Sequence, residues 1–136
     1  VLYFDLDFDA WVRKPGSSSP PAILPVLTIG SKLTLSVQFV FGLAVETLSA
    51  LPMAGVKTKG DFSGAYLAID NAPNDNGDGS YSFVLDLTTI AAKAPFVSSP
   101  ASETVDCVFQ VSAQIDGNAL HTPTLSVTLQ NDYLTA

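Results

Sequence analysis

Apolar and polar residues alternate with a period of two along most of this chain. Residues 1–8, VLYFDLDF, put Leu2, Phe4, Leu6 and Phe8 on one face and Tyr3, Asp5 and Asp7, with Asp9 beyond, on the other. That spacing predicts a half-buried strand. Residues 32–41, KLTLSVQFVF, carry the strongest pattern, with Leu33, Leu35, Val37, Phe39 and Phe41 facing one way and Thr34, Ser36 and Gln38 the other, as a central strand requires. Tyr81, Phe83, Leu85 and Leu87 form a third such row, residues 105–115 a fourth, and Leu125, Val127 and Leu129 a last short one. On these faces Phe4, Phe8, Phe39, Phe41, Phe83 and Phe109 are expected in the core.

Weaker signals fill the intervals. Pro25 interrupts residues 23–29, so a strand there belongs at a sheet edge. Alternation fails over 42–53, which reads as irregular cover. Residues 56–59 and 65–70 read as short strands around Gly60-Asp61, and 72–80, APNDNGDGS, as the turn of a hairpin whose return strand begins at Tyr81. Residues 88–93, TTIAAK, predict one helical turn with a threonine cap, stopped by Pro95. Asp116-Gly117 is a hairpin-type turn closing the long strand. The Pro- and Ser-rich stretches 13–22 and 97–102 are crossings between sheets. These elements predict one all-β domain over 1–136, an antiparallel β-sandwich (immunoglobulin-like or jelly-roll-like) of about seven or eight strands. The first strand, 1–12, followed by a flexible loop over 13–22, is suited to exchange between subunits.

Composition narrows the partners. The chain is 47% hydrophobic and 14% charged, so it folds around a core and covers itself with Ser, Thr, Asn and Gln. A net charge of -7 with only 6 Lys plus Arg removes the electrostatic basis for gripping nucleic acid. No apolar run approaches the ~20 residues that span a bilayer. Cys107 is the only cysteine, which rules out an internal disulfide and points toward folding in a reducing compartment.

No catalytic set assembles. His121 is the single histidine, no G-x-S-x-G elbow presents a nucleophile, and neither a Ser-His-Asp triad nor a His-rich zinc site can be built, so no enzyme activity and no cofactor are expected. Asp5, Asp7 and Asp9 on one strand face lie about 7 Å apart, within the ~6.5–9.5 Å of an inverting glycosidase pair. A charged face that discourages edge pairing accounts for them without a cleft. The loop from Asn74 to Gly79 carries alternating oxygen ligands, but the twelfth position counted from Asn74 is Leu85, where a calcium loop closes with a carboxylate. A hairpin turn needs the same residues for positive φ, so no metal site is assigned. The aromatics expected at the surface, as sugar platforms or interface anchors, are Trp11, Tyr3, Tyr66 and Tyr133.

The order KLTLSVQFVF, GDGSYSFVLDLTTIAAK, VFQVSAQI and LSVTLQNDY, over residues 30–133, resembles the small β-sandwich modules of tailed-bacteriophage tail, baseplate and fibre proteins. The resemblance implies a non-catalytic assembly module, a homo-oligomer in contact with other tail proteins. It implies a virion protein assembled in the bacterial cytoplasm, with Asn131-Asp132 marking the exit to the next segment. The alternative expectation is a carbohydrate-binding or immunoglobulin-like module of a bacterial surface protein, motivated by the surface aromatics and the Ser/Thr-rich strands.

Overall fold

The computed structural model describes residues 1–21, 26–61, 66–96 and 103–131. Its strands lie in two mixed sheets, so the chain is all-β. The first sheet contains β1 (Leu2–Asp5), β2 (Ala10–Val12), β4 (Lys32–Phe41), β5 (Ala44–Val45), β8 (Asn74–Asp75) and β9 (Ser80–Asp86). The second contains β3 (Leu27–Thr28), β6 (Met53–Thr58), β7 (Ala68–Asp70), β10 (Thr104–Ile115), β11 (Asn118–His121) and β12 (Leu125–Gln130). The strand orders are β2-β1-β4-β9-β8, with β5 also on β4, and β3-β12-β10-β6-β7, with β11 also on β10.

The expectation of purely antiparallel sheets is corrected at two ladders. β1 runs parallel to β4, with Phe4 opposite Phe39, and β3 runs parallel to β12, with Leu27 opposite Leu129. Both arise because the chain changes sheets between the paired strands. Residues 27–31 clasp the sheets together there: Ile29 N–H donates to the Gln130 carbonyl, Gly30 N–H to that of Leu87, and Leu87 N–H to that of Ser31.

The alternating faces of the long strands meet in one core. Phe4, Val37, Phe39, Phe83 and Leu85 from the first sheet join Val56, Phe109, Val111, Val127 and Leu129 from the second, and all are buried. Trp11 belongs to this core, which overturns its expected place at the surface. Its ring is edge-on to Phe4 at 5.3 Å between centroids and tilted against Phe109 at 6.1 Å, and its indole Nε1–H donates to the Pro123 carbonyl at 2.9 Å.

The strand expected over residues 1–8 ends at Asp5. The Asp5 Oδ1 accepts the Asp7 N–H at 2.9 Å, a local bond that competes with an extended backbone, and Asp9 takes a positive φ of 50°. The chain turns and returns as β2, with Phe4 opposite Trp11. Phe8 therefore sits in the turn and is exposed, and Phe41, at the end of β4 beside the Gly42 turn, is exposed as well. Neither is core.

Three further segments are more specific than their sequence patterns. Residues 68–70 and 81–87 are not one hairpin: β7 pairs with β6 in the second sheet, and the short β8 pairs with β9 in the first. Asp70 still ties the sheets, because its Oδ2 accepts the Val84 N–H at 2.8 Å. The expected helical turn forms as α1 (Ile90–Lys93), capped by Thr89, whose Oγ1 accepts the Ala92 N–H. Pro95 does not stop the chain there but lies within a following 3-10 turn, Ala94–Phe96, where its fixed φ is compatible. Arg13 N–H and Gly16 N–H donate to the carbonyls of Ser19 and Gly42, so the segment after β2 closes on itself and onto the β4–β5 turn. The crossing expected at 97–102 lies outside the described residues.

Phe109 contacts Trp11 and lies under both sheets. Phe109→Ala is expected to destabilise the fold by about 3–5 kcal/mol, the cost of a large aromatic cavity, read as a lower urea midpoint with an unchanged slope.

Candidate functional site

On the outward face of the second sheet, register alone sets up a groove. Gly55 of β6 lies opposite Gln110 of β10, Lys57 opposite Val108, and Met53 opposite Ser112, which in turn lies opposite His121 of β11. The residues between them, Ala54, Val56, Phe109 and Val111, point into the core. Six side chains, those of Met53, Lys57, Val108, Gln110, Ser112 and His121, thus face outward together without disturbing the interior.

Tyr66, just ahead of β7, folds over this face. A Cβ added to Gly55 would meet its Cδ1 and Cε1 at 2.5 Å, so the ring rests where residue 55 has no side chain. The chain is held in place just after it, since Leu67 N–H donates to the Val56 carbonyl at 2.8 Å and Ala68 pairs with Val56. The Lys57 ammonium stands 4.5 Å from the ring centroid, a cation–π contact. Tyr66 as a residue stays 38% exposed, against 7% for Trp11, so Tyr66 alone of these two can meet a ligand.

Two compartments flank the ring. The larger, about 260 Å³, is lined by Lys57, Thr58, Asp61, Val108 and Thr124, with Gly55, Gly60, Tyr66 and Gln110. The smaller, about 60 Å³, is lined by Met53, Ser112 and His121, again with Gly55, Tyr66 and Gln110. Gln110 is oriented by its Nε2, which donates to the Thr122 carbonyl at 2.6 Å and leaves Oε1 as an acceptor. Thr122 is itself buried and its Oγ1 accepts the Val111 N–H, so this support is rigid. The arrangement offers an aromatic face, one cation, one carboxylate and a row of hydroxyl and amide groups, which suits binding of a polyhydroxylated ligand.

The other residues singled out from the sequence separate. Tyr3 is half-buried on the opposite sheet, across β1 from Val12 and Gln38. Tyr133 and Asp132 lie outside the described residues. The carboxylate row does not form: Asp5 is fully buried, with its Oδ2 lacking a hydrogen-bond partner among the described residues, while Asp7 and Asp9 are exposed in the turn. With one carboxylate sealed away, the glycosidase pair loses its geometry. Among the described residues no three His, Cys, Asp or Glu side chains converge as a metal site.

The carboxylates of the loop 74–80 are spent on their own backbone. Asp75 accepts the Gly77 N–H, and Asp78 accepts both the Ser80 hydroxyl and its N–H, which hold the Asp78 carboxyl below its usual range. Asp86 is likewise lowered by the Thr88 hydroxyl and N–H. Burial, with a smaller contribution from the Asp106 charge, pushes the Cys107 thiol up to about 11, so it is a neutral core residue. No helix among the described residues is long and apolar enough to cross a membrane.

No protein-family model matches the chain, and no curated protein does either. The likeness to phage tail modules therefore rests on the sequence segments that suggested it.

The groove was not legible as a unit in the sequence, but it left one signal. A glycine inside the β6 run, MAGVKT, marks a place where something approaches the backbone closely. Gly55→Ala is expected to leave the fold intact and displace the ring, because the clash is with a side chain. NMR checks this through loss of the upfield ring-current shift on the Lys57 Hε protons.

Proposed function

We propose that this chain is a non-catalytic recognition module, a β-sandwich of the immunoglobulin-like or jelly-roll-like kind, that binds a glycan on the outward face of its second sheet. The observation that carries this reading is the Tyr66 ring laid on Gly55, half-exposed and bordered by Lys57, Thr58, Asp61, Gln110 and Thr124. Sugars present an apolar face of C–H groups rimmed by hydroxyls. An aromatic ring takes the first, and amide, hydroxyl and charged groups take the second. A compartment of about 260 Å³ lies just under the usual range for small-molecule sites, about 300–1,000 Å³, which suits one sugar unit at a time. Such a module belongs on a bacterial cell surface.

A glycan array followed by calorimetry tests this. Tyr66→Ala is expected to weaken the best glycan by about tenfold or more, ~1.4 kcal/mol, with unchanged thermal stability. An equally tight Tyr66→Ala protein overturns the reading.

A second reading, an assembly module as the phage-tail likeness implies, is favoured by a separate observation. Phe41, Leu43 and Val45 are exposed together on the β4–β5 hairpin, with Leu43 at 82%. Clustered exposed apolar side chains mark association surfaces. In this reading the chain forms a homo-oligomer or docks on other virion proteins. Light scattering across a concentration series is expected to give a multiple of 14.3 kDa that Leu43→Ser reduces. A monomer at every concentration removes the self-associating form of this reading.

A further inference from the structure

The larger compartment accommodates a sugar ring; the smaller one does not, and its shape and lining identify what it receives. At about 60 Å³ it is too small for a second ring and large enough for a substituent of a few heavy atoms. It opens beside the same Tyr66 ring and shares Gly55 and Gln110 with the larger compartment, so a group entering it projects from the sugar seated on Tyr66. Its walls have two chemistries. Met53 supplies an adaptable apolar contact. Ser112, His121 and the Gln110 Oε1 supply hydrogen-bonding groups, with Ser112 and His121 directly opposite one another on β10 and β11.

A hydroxyl would satisfy the polar wall and leave Met53 unused. A plain alkyl group would do the reverse. An acetamido group does both: its methyl packs on Met53, its carbonyl accepts from the Ser112 hydroxyl or the His121 ring, and its N–H donates to Gln110 Oε1. We infer that the groove selects 2-acetamido sugars, with the ring on Tyr66 and the acetamido substituent in the compartment formed by Met53, Ser112 and His121. This rests on the glycan-binding reading above and specifies its ligand class. Gln110 is the hinge of the selection, since it lines both compartments and is held by the carbonyl of buried Thr122.

Chemical-shift titration of the whole chain with N-acetylglucosamine, N-acetylgalactosamine, glucose and galactose tests it. The acetamido sugars are expected to bind at least tenfold tighter than the parent hexoses and to shift the backbone amides of Met53, Ser112 and His121. Ser112→Leu, which fills the smaller compartment, is expected to remove that preference while hexose binding persists. His121→Ala, at an exposed position, provides a second variant that is expected to narrow the gap. Equal affinity for acetamido and parent sugars, or a preference that survives Ser112→Leu in a folded protein, overturns the inference and leaves the glycan reading standing. Absence of saturable binding by any of the four sugars and by the glycan array overturns both.

Discussion

The fold depends on the contact that Trp11 makes across the two sheets. β2 is a three-residue strand at the edge of the first sheet, and by itself it would be held only by its ladder to β1. Its tryptophan reaches through the core to Phe109 of β10, in the middle of the second sheet, and its indole N–H is satisfied by Pro123 in the linker between β11 and β12. A buried indole without an acceptor would cost about 1–3 kcal/mol, so the Pro123 carbonyl sets where that linker can run. That linker continues into Thr124, which borders the larger compartment. The packing of one edge residue thus reaches the far face of the molecule.

Burial of Asp5 is the counterpart of this arrangement on the outer side of the first sheet. Asp5 lies opposite Val40 in the parallel ladder, and Val12 and Val40 are buried nearby without belonging to the main core. The carboxylate gathers two turns at once, since Oδ1 accepts from Asp7 N–H and, at 3.5 Å, from Gly42 N–H. A buried acidic side chain with one oxygen unpartnered among the described residues carries a cost in stability. It defines where β1 ends and where the β4–β5 hairpin sits. Leu43 then packs on Gly16, and Val45 on Gly79, at positions where a side chain on either glycine would collide.

What alternation encodes was readable; direction and topology were not. The rows in β4, β9 and β10 predicted their strands and inner faces, because a residue's side of a pleated sheet depends on local spacing alone. The same logic failed over residues 5–9, where three aspartates looked like a polar strand face. Asp5 bonding its own backbone two residues on is a turn signal of equal weight. Parallel pairing of β1 with β4 leaves no trace in hydrophobic pattern, and β11 gives no signal of its own because Asn118–His121 has too few apolar residues to alternate. Trp11 reads as a surface aromatic because nothing nearby in sequence shows that Phe109, far along the chain, comes to meet it. The groove was hidden for the same reason: Met53, Tyr66, Gln110 and His121 come from four separate elements or their flanks. Among the three described aromatics of those singled out, Tyr3, Trp11 and Tyr66, Tyr66 is the one that the structure brings into the groove.

The glycine beneath that tyrosine has a consequence for how the molecule can change. Where β6 pairs with β10, Ala54, Val56, Phe109 and Val111 belong to the interior, and Met53, Gly55, Lys57, Val108, Gln110 and Ser112 belong to the groove. The two sets point to opposite faces of one sheet, so substitutions at 53, 57 or 112 leave the side chains of the hydrophobic interior in place. Such a strand pair behaves as two independent texts written on alternate lines. A new ligand can be selected by rewriting one of them, while the other goes on holding the two sheets together.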